Sequence, residues 1–253
     1  EFSKLPVFDP SSPEEAFTMI QEAFEYSEKY STPVLFRPTT RVDHGYASME
    51  IPELSKARDV PGFEKNTQRW VIFPRTSYMN HRIIFERNTN VLPEVFSKSG
   101  LNKVEGEDGN LAIATGGISY TYVKEALALL GVKDVPVLKI GTPYPFPADL
   151  TSEFMQSKSH ILVVEELDPV IEDALLHIKA AENLGCTIHG KYDRKTSEAG
   201  EYSVELVKKF IANFLSIDIE ETTPAEKPEL PVRPPVLCAG CPHRASFYAV
   251  KKA

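Results

Sequence analysis

LAIATGGISYTYVKEALALLGVKDVPVLKI, residues 111–140, runs from one apolar segment through a glycine turn into a helical pattern and out to a second apolar segment. Leu111 to Ala114 reads as a strand, Thr115-Gly116-Gly117 as the turn, about 119–130 as a helix closed by Gly131, and Val135 to Ile140 as the next strand. The pattern repeats downstream. A Pro-rich loop leads to a helix near 147–157, Ile161 to Val164 is a third strand, and 170–183 is a helix ended by Gly185. Thr187 to His189 is a short fourth strand and 202–214 a last helix. Strands alternating with helices of this length imply βαβ units and a parallel sheet. Right-handed crossovers then put helices on both faces. The fold expected is α/β, a compact, doubly wound, mostly parallel domain over about 108–216.

Upstream, 13–30 has the marks of a helix: Ser12 as N-cap, Pro13 in the first helical position, and Glu14 and Glu15 at the positive end. Its apolar face is expected from Phe17, Ile20, Phe24 and Tyr26, with a stop at Thr32-Pro33. Val34 to Phe36 reads as a buried strand closed by Arg37-Pro38. Residues 39–75 hold no long periodic run, and are expected to form a connector whose Trp70-Val71-Ile72-Phe73 packs against something. A long helix is predicted over 76–97, with Tyr78, Ile83, Ile84, Val91 and Val95 or Phe96 on its apolar side and Pro93 kinking or dividing it. Residues 217–237 carry five prolines and form an extended linker. Cys238-Ala239-Gly240-Cys241-Pro242-His243-Arg244 then opens a new unit.

The chain has 253 residues, 42% hydrophobic and 25% charged, which is ordinary for globular protein. A net charge of −8 argues against a nucleic-acid partner, because an acidic surface repels phosphate backbones. No stretch approaches the ~18–20 apolar residues of a membrane span. Three cysteines, Cys186, Cys238 and Cys241, do not make a disulfide framework, which points to a reducing cytoplasm. EFSKLPVFDP is no signal peptide, lacks Met and opens in a loop, while ASFYAVKKA stops inside a helical pattern. Both ends look cut, as if the chain were an interior piece of a larger enzyme.

Several segments could carry chemistry. The Gly116-Gly117 turn could hold an anion at a helix start, although a plain βα turn explains it as well. Gly106-Glu107-Asp108-Gly109-Asn110 precedes a strand instead of following one, and is read as a surface turn rather than a metal-diphosphate motif. Glu165, Glu166 and Asp168 lie just past a strand, at the edge where open parallel sheets bind ligands. Their preferred reading is a helix N-terminus stabilised by acids, or an interdomain contact, ahead of an acid or base role for a paired carboxyl. Arg37 to His44 offers two cations and a histidine after a strand, or else a solvated connector. Cys238 and Cys241 have metal-ligand spacing without the further ligands of a tetrahedral site. His243 and Arg244, at a helix start, suit a phosphate. Cys186 is read as a small buried hydrophobe.

Four stretches together resemble one family. RPPVLCAGCPHRASFYAVKKA (233–253) is similar to the segment that opens the thiamine-diphosphate domain in the alpha subunit of indolepyruvate ferredoxin oxidoreductase, of the 2-oxoacid:ferredoxin oxidoreductase family. SSPEEAFTMIQEAFEYSEKYSTPVLFRPTTRVDH (11–44), GGISYTYVKEAL (116–127), and LKIGTPYPFPADL (138–150) with VVEELDPVIED (163–173) resemble the same subunit in the same order. The resemblance implies that 1–44 ends a pyrimidine-binding domain and 45–107 is a connector with a long helix. It implies that 108–216 is a domain like the C-terminal domain of transketolase, that 217–237 is a linker, and that 238–253 starts the diphosphate-binding domain. It further implies thiamine diphosphate, Mg²⁺, 4Fe-4S clusters and coenzyme A in the intact enzyme, with a smaller beta subunit and ferredoxin as partners. The reaction implied is oxidative decarboxylation of aryl 2-oxo acids to acyl-CoA. Carried over as residues near thiamine are Cys238, Gly240, Cys241, His243 and Arg244; no catalytic residue or metal ligand is assigned in this chain, which is expected to bind no cofactor and to be inactive alone. The alternatives are a docking domain of another 2-oxo acid dehydrogenase and a small-molecule binding module using the Gly116-Gly117 turn.

Overall fold

In the computed structural model the chain is described over residues 3–51, 62–106, 108–220, 229–232, 234, 236–237 and 239–253. Strand β1 (Val7–Phe8) leads to helix α1 (Pro13–Tyr30), where Ser12 accepts the Glu15 amide as N-cap and Ser31 closes the helix in the left-handed region. The face of α1 that packs is Met19, Ala23, Tyr26 and Tyr30, against Phe8, Leu92 and Phe96. This corrects the expected face in part: Tyr26 packs as expected, but Phe24 is 70% exposed. Several hydrophobic stripes fit a helical period here, and the packing partners, distant in sequence, choose between them. Strand β2 (Leu35–Phe36) pairs in parallel with β1 and is not fully buried, since Leu35 is 46% exposed.

Short helices α2 (Thr40–Asp43) and α3 (Thr67–Trp70) follow, and Trp70 to Phe73 is exposed rather than packed. The predicted long helix is divided. Helix α4 (Pro74–Glu86) has no buried residue, a π-helical turn spans Arg87–Val91, and α5 (Leu92–Ser97) buries Leu92 and Phe96. Pro93 sits in the first turn of α5, where its missing N–H costs little, so the ladder readjusts in the π turn just before it.

The main sheet holds β3 (Lys103–Glu105), β4 (Leu111–Gly116), β5 (Val137–Ile140), β6 (His160–Val164) and β7 (Thr187–His189), in the order β3-β5-β4-β6-β7. Its pairs are parallel except β3 with β5, an antiparallel edge strand that begins before residue 108 and has no clear pattern of its own. Strand β5 starts at Val137 because Pro136 has no N–H to give the ladder. Between the strands run α6 (Gly117–Leu129), α7 (Ala148–Gln156) and α8 (Val170–Glu182), and after β7 comes α9 (Val204–Leu215). Alternation along the strands sorts the core into two layers. Ala112, Ala114, Leu138, Ile140, Ile161 and Val163 meet α7 and α8 through Phe154, Met155, Ile171 and Leu175. Ile113, Val137, Leu162 and Val164 meet α6 and α9 through Val123, Leu127, Val207 and Ile211. Two-sided burial is why these strands read as continuous apolar runs. Each Val, Leu, Ile, Phe or Met among them contributes about 1.5–3 kcal/mol on burial. Cys186 is buried in the first layer.

Asn102 fixes the loop after β5. Its Nδ2 donates to Phe96 O at 3.1 Å and Thr142 Oγ1 at 2.7 Å, and its Oδ1 accepts Gly141 N at 2.9 Å and Thr142 N at 3.1 Å. Asn102→Ala strands these buried groups, and is expected to lower stability by about 2–4 kcal/mol, read from the urea midpoint at unchanged slope.

Residues Glu1–Ile219 form one compact unit and Glu220–Ala253 a second. In the second, α10 (His243–Lys252) follows a turn at Ala239 and Gly240.

Candidate functional site

The chain leaves β4 for β5 on one side and then crosses to β6 on the other, so the connections diverge between β4 and β6. In an open α/β sheet, that switch point at the carboxyl ends of the strands is where ligands bind. A cleft of about 400 Å³ opens there. Its floor is the β4–α6 turn at Gly116 to Ser119 and the β6–α8 loop at Glu165 to Ile171. The first segment of the chain supplies one wall, because Asp9 N bonds Gly141 O at 2.8 Å and Val7 N bonds Tyr144 O at 2.7 Å. Asp9, Leu35, Arg37, Thr39 and Tyr144 thereby reach the cleft.

Each acid has a definable role. Glu165 caps α8 with both oxygens, accepting Ile171 N at 2.8 Å and Glu172 N at 3.0 Å. Burial pushes its carboxyl up to about 7, against the pull of those amides and of Lys191, whose ammonium bonds Glu165 O and Tyr202 Oη. Glu166 accepts Tyr202 N at 2.8 Å. Asp168 is exposed at the rim. Asp9 lies beside the start of α6; a Cβ on Gly117, whose φ is +51°, would stand 2.8 Å from Asp9 Oδ2. Glycine is thus required at 117 by backbone conformation and by space alike. Arg37 Nη2 donates to Asp9 Oδ2 at 2.8 Å, while Asp9 Oδ1 is buried without a partner among the described residues. Burial raises the Asp9 carboxyl although Arg37 opposes it.

The Gly116-Gly117 turn is therefore a βα turn next to one of the chain's own carboxylates. Of the Arg37 to His44 stretch, Arg37 and Thr39 line the cleft; Arg41 pairs with Glu201, and His44 is exposed. Asp9 and Tyr144 carried no local signal, since only tertiary docking brings them to the sheet edge. Asp108 pairs with the Lys158 ammonium at 2.7 Å, and Glu107 lies outside the described residues.

In the second unit, Gly240 has φ +76°, Cys241 Sγ lies 3.3 Å from His243 Nδ1, and Arg244 Nη2 donates to Leu237 O at 2.6 Å. Cys238 lies outside the described residues. Residues 239–253 contain no Asp or Glu, so Cys241, His243 and Arg244 alone do not form a complete Mg²⁺–diphosphate site. Among the described residues no three His, Cys, Asp or Glu side chains converge as metal ligands, and no helix is long and apolar enough to cross a membrane.

The fold is shared with a solved structure, a 2-oxoglutarate:ferredoxin oxidoreductase from Magnetococcus marinus, over 83% of this chain and 42% of that one, with a TM-score of 0.51 and 18% identity. No family model matches the chain. By sequence the chain is homologous to proteins named indolepyruvate oxidoreductase subunit IorA. It is 42% identical to that of Methanothermobacter marburgensis over 98% of this chain, and 39% identical to that of Pyrococcus abyssi over 100% of it. It spans about 40% of the length of these relatives.

Proposed function

We propose that this chain is part of the thiamine-diphosphate-dependent subunit of an indolepyruvate:ferredoxin oxidoreductase. The whole enzyme would oxidatively decarboxylate aryl 2-oxo acids to acyl-CoA and reduce ferredoxin, with 4Fe-4S clusters, Mg²⁺ and a smaller beta subunit, in the cytoplasm of an anaerobic prokaryote. The observation that carries the reading is 42% identity sustained over 98% of the chain. In this assignment 1–44 ends the pyrimidine-binding domain, 108–216 is the transketolase C-terminal-like domain, and 238–253 begins the diphosphate-binding domain. Thiamine diphosphate, when bound, supplies the carbanion-stabilising chemistry. The residues of this chain assigned near it are Cys238, Gly240, Cys241, His243 and Arg244. Gly240, in the left-handed region, admits close backbone approach, and Pro242 suits the residue just ahead of the helix, where no N–H is required. His243 and Arg244 then offer donors to an anion.

Two measurements test the assignment. Calorimetry of the 253-residue chain with thiamine diphosphate and Mg²⁺ is expected to give no micromolar binding; such binding would contradict the view that the remaining ligands lie elsewhere in the subunit. In the full-length enzyme, Arg244→Ala is expected to cost roughly tenfold or more in turnover or cofactor affinity, the scale of one charged hydrogen bond. Wild-type kinetics with a lowered Tm would make the turn structural and refute its placement at thiamine.

A further inference from the structure

Helix α4 buries no side chain, yet a helix of 13 residues is marginal in water and draws its stability from packing an apolar face. Its two sides differ. Thr76, Asn80, Ile84 and Arg87 recur at helical spacing and are half-buried, which marks the side turned to the chain. On the other side Tyr78 and Phe85, seven residues apart, are 63% and 62% exposed, flanked by exposed Met79 and Ile83. Ile72 and Phe73, just ahead of the helix, are exposed as well. These six side chains leave on the order of 700 Å² uncovered, at ~150–250 Å² for a large side chain. That exceeds the patch an ordinary monomer shows, and approaches the ~800 Å² per partner that a stable interface takes. The helix is also fixed in place. Asn88 Nδ2 and Arg87 Nη2 both donate to Lys4 O, at 2.9 and 3.3 Å, and the following α5 buries Leu92 and Phe96.

The charges on the outward side complement themselves. Arg75, Arg82 and Glu86 lie at i, i+7 and i+11 and so share one stripe. None of the three has an ion-pair partner among the described residues. The Arg82 guanidinium rests 6.0 Å from the centre of the Tyr78 ring, so its stem adds to the apolar surface. A parallel copy would set arginine against arginine. In an antiparallel copy related by a two-fold axis beside His81 and Arg82, Tyr78 falls level with the partner's Phe85. Arg75 then lies about 3 Å along the helix axis from the partner's Glu86, within reach of its long side chain. The two-fold axis makes each of these contacts twice.

We propose that the outward face of α4 is an interface between two copies of this chain, joined antiparallel across a two-fold axis. The inference goes beyond the oxidoreductase reading and does not rest on it, since it needs neither cofactor nor substrate.

Sedimentation equilibrium of the 253-residue chain is expected to show a monomer–dimer equilibrium with a Kd of about 1–10 µM. Phe85→Glu should weaken the dimer at least roughly tenfold and leave the circular dichroism spectrum unchanged, because Phe85 is not packed in the chain's own core. Arg75→Glu brings like charges together twice and should weaken it about tenfold, and so should Glu86→Arg. The double variant Arg75→Glu with Glu86→Arg exchanges the charges, and should return to within about threefold of the wild type. In the full-length subunit, Arg82→Cys beside the axis should give a disulfide-linked dimer on mild oxidation that the wild type does not. A chain that stays monomeric at roughly 100 µM, or that assembles beyond two copies, would overturn the proposal. So would full association in a folded Phe85→Glu variant, or charge reversals that do not compensate. Absence of the Arg82→Cys crosslink would mean that the rest of the subunit covers this face, and would overturn it equally.

Discussion

Replacing Glu15 by Ala is expected to lower stability by about 3–5 kcal/mol, the cost of breaking a buried ion pair from one side. Glu15 is the first-turn acid of α1, but its side chain does more than favour the helix end. One oxygen pairs with the Lys139 ammonium, and the other accepts Ser11 N at 2.7 Å and Ser11 Oγ at 2.6 Å. Lys139 sits in the middle of β5 with its side chain 4% exposed, and its ammonium lies 4.9 Å from the centre of the Tyr120 ring. Burial pushes Lys139 down although Glu15 opposes it. At Glu15, burial works upward, but the Lys139 ammonium and the Ser11 donors hold the carboxyl below its usual value. Without Glu15, the ammonium must stay charged in an apolar site or give up its proton, and both choices cost free energy. For a chain of this length the loss corresponds to a fall in Tm of about 6–20 °C. The double variant Glu15→Gln with Lys139→Met removes both charges, and should recover all but about 1–2 kcal/mol. If Glu15→Ala melts with the wild type, the pair does not hold the first 44 residues to the sheet.

That pair also marks what the sequence leaves illegible. The three central strands and the helices between them are readable because burial on both faces writes long apolar runs, and because Gly131 and Ser12 punctuate helices by local rules. Edge strand β3 has only three residues and depends on β5 for its pairing, so Lys103 to Glu105 carries no mark. The packed face of α1 is chosen by Phe8 and Phe96, one before the helix and one 66 residues beyond its end. A charged residue in a strand, Lys139, reads as a solvated position until the carboxylate 124 residues away is known. The cleft was half visible. Glu165, Glu166 and Asp168 announce themselves by following an apolar strand, and their reading as helix-end acids holds for Glu165. Asp9, which lines the cleft and pairs with Arg37, looks like an ordinary loop residue before a proline.

Stability should fall as pH rises from about 4.5 to 7, and Glu165→Gln should remove most of that slope. In the unfolded chain the Glu165 carboxyl titrates near 4.5; in the folded protein burial holds it up to about 7. Below 4.5 both states carry the proton, and Glu165 contributes nothing to the pH dependence. Between the two values the unfolded chain releases its proton while the folded one keeps it, so the equilibrium shifts toward unfolding with each step upward in pH. Above 7 both states are ionised and the full cost remains, about 3 kcal/mol at ~1.4 kcal/mol per pK unit. Asp9 is raised as well, and adds a slope of the same sign from its own lower starting point. Glutamine keeps a carbonyl oxygen to accept one of the Ile171 and Glu172 amides and loses the other acceptor, so at pH 4.5 the variant should be the less stable by about 1 kcal/mol. By pH 7.5 the order should have reversed, because the wild type then carries a buried charge that the variant lacks. Urea midpoints of the two proteins at half-unit steps from pH 4.5 to 8 measure the difference directly, with Asp9 and the other carboxyls common to both. Curves that stay parallel across that range would mean that water reaches Glu165 in the folded protein, and that the cleft floor is wetter than its packing implies.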